Sequence, residues 1–428
     1  MTESGPRLHA VTQPLDRLPD ALEHADPADP LVWARGENIL VGFGETLRFS
    51  LHGSNRIQDA ADAWQRLAAS ADVTNPLTLP GTGIVAFGSF TFAAASSQSS
   101  VLRIPRFVFG RRDSQAFVTE IRLSNEASEP LPLGSAIMAD AADRVRWNPA
   151  RDASEHQQAV RDALAYIQAG SVQKVVLARA MTGTLPSNPS APADGLGTFE
   201  PGRGDLSAPI RHGFDLRAAL QRLIASAPNT WVFAVDGLLG ASPETLLSVT
   251  GGQAHLEVLA GTRDKAGGDG QVLLDSSKDR SEHRFAVENV TDSLRRAGIA
   301  APKLSEPHLL SLPDLWHLST DIDFETASTR VLSLVAALHP TGAVAGTPTE
   351  AALKIIEAFE PIDRGRYSGP VGWVDAAGNG EWAIALRCAQ VAGEQVIAYA
   401  GGGIVSGSDP ALEYAETELK FRAIRSAL

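Results

Sequence analysis

The sequence predicts an α+β fold in which a large antiparallel β-sandwich is flanked by helices. Three observations lead there. Short strand-like runs recur along the chain, bounded by turn residues. Several stretches of helical spacing interrupt them. Strands and helices nowhere alternate in the βαβ manner of a dinucleotide-binding fold, and there is no internal repeat. The 428 residues, 44% of them hydrophobic, supply ample material for a large core.

Residues 1 to about 30 are rich in Pro, Asp and Glu and are expected to be loosely ordered. From Leu31 to about Trp147 short strands dominate, at Ile39 to Phe43, Ile84 to Phe87, Arg106 to Phe109 and Ala116 to Leu123. A helix over Ile57 to Ala71 gathers Ala60, Ala61, Trp64, Leu67 and Ala68 on one side. This β-rich portion, residues 1–150, and the remainder, 151–428, are expected to share one fold. Asp152 to Ala169 reads as an amphipathic helix with Val160, Leu164 and Ile167 inward, stopped by Gly170. A strand follows over Val172 to Ala180. Residues 183–213 hold so many Pro, Gly, Ser and Asp residues that a long mobile surface loop is expected. Further on, helices are expected at Leu216 to Ser226, Asp279 to Ala297 and Ala351 to Ala358. Strands are expected at Trp231 to Val235, Leu246 to Thr250, Ala254 to Leu259, Val371 to Asp375, Trp382 to Val391 and Gln395 to Ala400. Asn379-Gly380 reads as a tight turn.

The formal charge of −13 disfavours nucleic acid or an anionic membrane as the main partner. The single cysteine, Cys388, excludes a disulfide within the chain and fits a reducing cytoplasm. It sits in an apolar run and reads as core. Met1 to Leu22 lacks a basic-then-apolar signal pattern, and no apolar stretch is long enough to span a bilayer. A soluble, intracellular protein is expected.

The segment richest in chemistry runs from Gly401 to Lys420. A strand-like run ends in three glycines, Gly401, Gly402 and Gly403, whose bare backbone can approach an anion closely. Asp409 then caps a helix that Pro410 opens. Glu413 and Glu416 lie three residues apart on one face of it, and paired carboxylates can hold a hard cation such as Mg²⁺. Glutamates also suit a first helical turn for the macrodipole alone. A second acidic face, Asp279 and Glu282, follows Ser277, and two such faces could clamp one ion.

Seven ordered blocks together resemble the chorismate-utilising enzymes: isochorismate, salicylate, anthranilate and aminodeoxychorismate synthases. They are Gln173 to Arg179, Gly240 to Leu247, Leu259 to Arg263, Lys278 to His283, Leu338 to Gly342, Asp363 to Gly372 and the Gly401 to Lys420 segment. The resemblance covers roughly Asp152 to Leu428 and implies chorismate as substrate and Mg²⁺ as cofactor. Two positions separate the branches. Members that add water to the ring carry lysine just before the Val-Val-Leu run, as Lys174 does here, whereas aminating members typically carry glutamine. Water attacking C2 must lose a proton, and neutral lysine can take it. The reference pKa of lysine is about 10.4, so lowering it to near neutrality costs about 4 kcal/mol, which burial can impose. At Ala260 the aminodeoxychorismate branch often has a nucleophilic lysine, and this chain has no amine there.

The resemblance assigns the remaining roles. Glu244, after Ser242-Pro243, is the acid that protonates the departing C4 hydroxyl, which requires a raised proton affinity. Arg387, in an apolar run, needs an anion and suits a carboxylate. With Tyr367 and the Gly401–Gly403 amides it would take the enolpyruvyl carboxylate. Mg²⁺, held by Glu282 and Glu416 with help from Asp279 or Glu413, would take the ring carboxylate. Gly261 and Thr262 would contact the ring's oxygen substituents. Lys420 either faces the anion or pairs with Glu416. His339 either polarises or packs, and its loop departs from the family pattern, with Pro340-Thr341-Gly342 where Pro-Thr-Pro is usual. The implied activity is isochorismate synthase, an isomerase serving menaquinone or siderophore synthesis, acting as a monomer without a glutaminase subunit. Salicylate synthase and the large subunit of anthranilate synthase are the alternatives.

Overall fold

A computed structural model describes residues 6–18, 20–137, 144–148, 153–186, 214–265, 268–311, 315–327, 330–360 and 362–428, without the side chains of Thr262, Asp264, Lys278, Glu282 and Leu315. The chain forms two large sheets packed face to face, with helices around them. The first has thirteen strands. Its path begins at Arg146–Trp147 and passes through Lys174–Thr184, Gln395–Val405, Cys388–Ala392, Leu238–Ser242 and Trp231–Val235. It continues through Leu31–Arg35, Asn38–Phe43, Phe107–Arg112, Gln115–Leu123 and Leu8–Leu15 to Asp72–Thr74. The second has ten strands, with Leu315–Glu325, Gln253–Asp264, Thr245–Thr250, Gly380–Ile384 and Pro370–Asp375 at one end and Val85–Ser89, Ser100–Ile104 and Leu47–Leu51 at the other. Every described pairing is antiparallel except Leu8–Leu15 with Asp72–Thr74. Both sheets draw strands from either side of residue 150.

The strands of the first sheet are apolar on both faces, because both faces are covered. Along Leu31–Arg35, Trp33 points into the central core with Trp231, Phe233, Trp373 and Trp382, while Val32 and Ala34 point to an outer layer. Helices Leu216–Ser226 and Pro410–Ala427 close that outer layer with Leu220, Leu223, Phe421 and Ile424. Helices Arg56–Ser70, Ala153–Gln168, Val331–Leu338 and Thr349–Phe359 lie against the central core. In Ala153–Gln168 it is His156, Val160 and Ala163 that are buried, and Leu164 and Ile167 are half-buried beside them.

Several expectations are corrected. Leu8–Leu15 is a full strand paired with Gln115–Leu123, so the N-terminal region is not loosely ordered throughout. Gly183 and Thr184 belong to the strand Lys174–Thr184, held by Val396 and Gln395, whereas residues 187–213 of the expected loop lie outside the described residues. The Asn379-Gly380 turn is displaced: Gly380 already pairs with Val374, and Gly378, at φ 87°, makes the reversal. The expected single strand from Trp382 to Val391 is two strands in different sheets, Gly380–Ile384 and Cys388–Ala392. Cys388 is fully buried, as expected.

Candidate active site

Two neighbouring corners position the acid and the arginine. Leu238–Ser242 and Cys388–Ala392 pair in the first sheet, and their continuations Thr245–Thr250 and Gly380–Ile384 pair in the second. Two chain segments therefore bend side by side from one sheet to the other. At the first corner the buried Ser242 hydroxyl donates to the Ile384 carbonyl at 2.6 Å and accepts from the Glu244 amide at 3.2 Å. The Ile384 amide donates to the Glu244 carbonyl at 3.1 Å. Pro243 restricts the approach to this corner. At the second corner Arg387 adopts the left-handed φ of 49°, and its carbonyl accepts from the Ala241 amide. The corners can touch because residue 240 is glycine: a Cβ there would stand 2.5 Å from the Cys388 Cβ. Arg387 is thus at a corner and not within an apolar strand.

Lys174 opens the strand Lys174–Thr184, which pairs with the glycine-bearing strand Gln395–Val405. Arg364 and Glu360 fix that strand from behind. The Arg364 guanidinium donates to the Val176 carbonyl at 2.8 Å, and the Glu360 carboxylate accepts from the Ala178 amide at 2.6 Å. Each of the three glycines then admits a different polar group. A Cβ on Gly403 would lie 2.7 Å from the Lys174 Cε, one on Gly402 3.0 Å from the Glu413 Oε2, and one on Gly401 3.1 Å from the Tyr367 hydroxyl. Tyr367 is buried and stacked on Tyr399, with ring centroids 5.3 Å apart. Burial pushes its phenol up to about 12, so it remains a hydrogen-bond donor. Lys420 pairs with the Glu416 carboxylate at 2.5 Å, and its ammonium also donates to the Gly401 carbonyl at 2.7 Å.

Glu244 stands at the electrostatic centre of this group. Burial pushes its carboxyl up to about 7, with Glu257 adding to the rise and Lys174 and Lys420 opposing it. Among the described residues, no side-chain donor reaches its carboxylate. Burial lowers the Arg387 guanidinium from its usual range, against the pull of Tyr367 and Glu416. His317, on Leu315–Glu325, is lowered by burial and by Lys420 and Arg387, and its ring bonds the Gly261 backbone. Gly261 has φ 85° at a bulge that interrupts pairing between Leu259 and Thr262, and the Asp279 side chain lies beside it. The helix Ser277–Arg296 is pinned there by buried His283, whose ring reaches the Ala260 carbonyl at 3.1 Å and the Thr320 hydroxyl at 2.7 Å.

The structure therefore brings together Lys174, Glu244, Tyr367, Arg387, the three glycines, Glu413, Glu416 and Lys420. Asp279 and Gly261 join them through His317. The side chains of Thr262 and Glu282 lie outside the described residues. His339 belongs to another neighbourhood. Its ring donates to the Phe92 carbonyl at 3.0 Å, touches Phe92 edge-on, and is lowered to about 3 by burial, with Arg56 adding to the drop. Its contacts with Phe92 are those of packing. Sequence reasoning missed His317 and Glu257, whose only signal was polar alternation along their strands.

The donor set suits a hard cation. Glu413 and Glu416 offer only carboxylate oxygens. Burial holds Glu413 above the usual carboxylate range and the Glu416 charge adds to this, a crowding that a cation would relieve.

A family model described as chorismate binding enzyme matches residues 22–194 and 205–428. The chain belongs to the chorismate-binding enzyme family. It is 34% identical to the salicylate biosynthesis isochorismate synthase of Pseudomonas aeruginosa, over 97% of this chain and 91% of that one. It is 36% identical to the isochorismate synthase DhbC of Bacillus subtilis, over 65% of this chain and 69% of the other. In three dimensions it resembles a putative 2,3-dihydroxybenzoate-specific isochorismate synthase, DhbC, from Bacillus anthracis. That match has TM-score 0.69 and 26% identity, covering 95% of this chain and 98% of that one. The fold also matches MenF of Escherichia coli, with TM-score 0.73 and 24% identity, covering 99% of this chain and 95% of that one.

Proposed function

We propose that this protein is an isochorismate synthase, an isomerase that converts chorismate to isochorismate. The observation that carries the reading is the pairing of Lys174 with Glu244: an amine laid across bare glycine backbone, within electrostatic reach of a desolvated carboxyl whose proton affinity lies near neutrality. Lys174, as the neutral amine, takes a proton from the water that attacks C2. The ring double bonds shift, and the C4–O bond breaks as Glu244 delivers its proton, so the hydroxyl departs as water. Arg387 and Tyr367, with the glycine backbone, hold the enolpyruvyl carboxylate. Glu413, Glu416, Asp279 and Glu282 would hold Mg²⁺, which when bound supplies a counter-charge for the ring carboxylate. Among the described residues no helix is long and apolar enough to cross a membrane. On this reading water is the nucleophile, so no glutaminase partner is needed to supply ammonia. The product serves menaquinone or siderophore synthesis.

Incubation of the pure protein with chorismate and Mg²⁺, followed by chromatographic resolution of products, is the direct test. Isochorismate as the sole new product supports the proposal. Salicylate accumulating without an added lyase, or anthranilate appearing with ammonia, would replace it by the corresponding synthase.

A further inference from the structure

Away from the two acidic helices, three adjacent strands carry a second set of ligand-type side chains. Glu257 on Gln253–Asp264 pairs in register with Asp321 on Leu315–Glu325, and His308 on His308–Ser311 sits opposite Ser319 of that same middle strand. One donor atom from each of Glu257, His308 and Asp321 lies within 4.8 Å of the others, and all three residues are half-buried. Two of the three are oriented by a group behind them. The His308 Nδ1 faces the Glu306 carbonyl at 3.4 Å. A carbonyl can only accept, so Nδ1 carries a hydrogen, which in the neutral ring leaves Nε2 with a lone pair to offer. That Nε2 points to the Asp321 Oδ2 at 3.9 Å. The Ser319 hydroxyl donates to the Glu257 carboxylate at 3.0 Å. On the far side of Asp321, His255 repeats the pattern: its Nδ1 is tied to Asp323 at 2.8 Å and its Nε2 stands 3.9 Å from the Asp321 Oδ1.

A lone pair facing carboxylate oxygens at 3.9 Å makes no hydrogen bond. Two ligands of one tetrahedral ion stand roughly 3.3–3.6 Å apart when each lies about 2.0–2.2 Å from the metal, so the gap of 3.9 Å closes onto one ion with a small side-chain adjustment. Carboxylate and carbonyl groups behind the imidazoles are the usual supports of metal-bound histidine. We propose that Glu257, His308 and Asp321 bind a divalent first-row metal of the imidazole-preferring class, Zn²⁺ or Co²⁺. This is a site separate from the carboxylates of the two helices. Imidazole sets the preference away from Mg²⁺. Glu257 is also within electrostatic reach of Glu244, so the site borders the catalytic corner.

The test is titration of the metal-free protein with Zn²⁺ by calorimetry and with Co²⁺ by visible absorption, in excess Mg²⁺ to occupy the helix carboxylates. One equivalent is expected to bind with imidazole-dependent Co²⁺ bands. His308→Ala and Asp321→Asn should each weaken binding at least tenfold, while Glu416→Gln leaves it unchanged. His308→Gln, which keeps the volume, guards against misfolding, with circular dichroism confirming the fold. Equal binding by wild type and both His308 variants, or no binding at all, would overturn the site.

Discussion

Two buried groups of charge in this molecule are built on opposite rules. Around Asp236, acids and arginines are matched. The Asp236 carboxylate takes Arg366 and Arg48 at 2.6 Å each, and Arg103 completes the network with Asp29 and Glu45. Burial alone would raise Asp236, but the arginines hold it below the usual carboxylate range. Glu381 follows the same rule, with two bonds from Arg112 and one from each of the Trp33 and Trp373 indoles. Around Glu244 the rule is reversed: among the described residues no side-chain donor reaches the carboxylate, burial outweighs Lys174 and Lys420, and the group rises to about 7. On the proposed mechanism, the contrast separates charge that locks the fold from charge kept ready for proton transfer.

Four experiments press on that contrast. The largest effect belongs to Lys174→Ala, which should lower turnover about 10²- to 10⁴-fold, the usual range for removing a general base. Chorismate binding should persist through Arg387, and calorimetry alongside steady-state assay checks both. Wild-type turnover would remove Lys174 from the mechanism. Next, Asp236→Asn leaves the buried Arg366 against a neutral group and should cost about 3–5 kcal/mol in urea unfolding. Unchanged stability would show the matched network to be dispensable.

The third experiment reverses that sign. Glu244 binds its proton more tightly folded than unfolded, so its contribution is present below about pH 4 and is lost as pH climbs through about 7. Gln cannot ionise. Glu244→Gln should match wild type in stability near pH 5 and exceed it by about 1–2 kcal/mol above pH 8, the shift being discounted for partial exposure. Wild-type turnover should fall on its alkaline side as the acid form is lost, with a midpoint near 7. Stability curves that coincide at every pH would refute the desolvated acid. The smallest effect is at Lys420. Its ammonium competes with a cation for Glu416, so Lys420→Met should tighten Mg²⁺ binding without substrate by about threefold to fivefold, the size of a half-exposed ion pair. Weaker Mg²⁺ binding would mean that Lys420 organises the carboxylates.

Much of this was legible in the chain itself. The helix Leu216–Ser226, the Asp409 cap with Pro410 behind it, and buried Cys388 follow from local rules of spacing and capping. The motifs around Lys174, Glu244 and the three glycines could be found because each is short and contiguous. What escaped was set by distant partners. Trp382 to Val391 reads as one apolar run because periodicity cannot register the left-handed Arg387 at which the chain changes sheets. Leu8–Leu15 gains its order from Gln115–Leu123, more than a hundred residues away. Glu257 and His317 look like ordinary solvent-facing positions on strands until the second sheet folds them toward Glu244 and Arg387. His339 sat in a recognisable motif, yet its ring is claimed by Phe92.

The strand that starts at Lys174 hydrogen-bonds along its whole length to Gln395–Val405, a segment synthesised more than two hundred residues later. At roughly 5–20 residues per second a ribosome needs about ten to forty seconds to make that stretch. Through the whole interval the nascent chain carries an open, Val- and Leu-rich edge, the kind that invites mispairing. The pairing that carries Lys174 is therefore completed only when the last strand in chain order has been made.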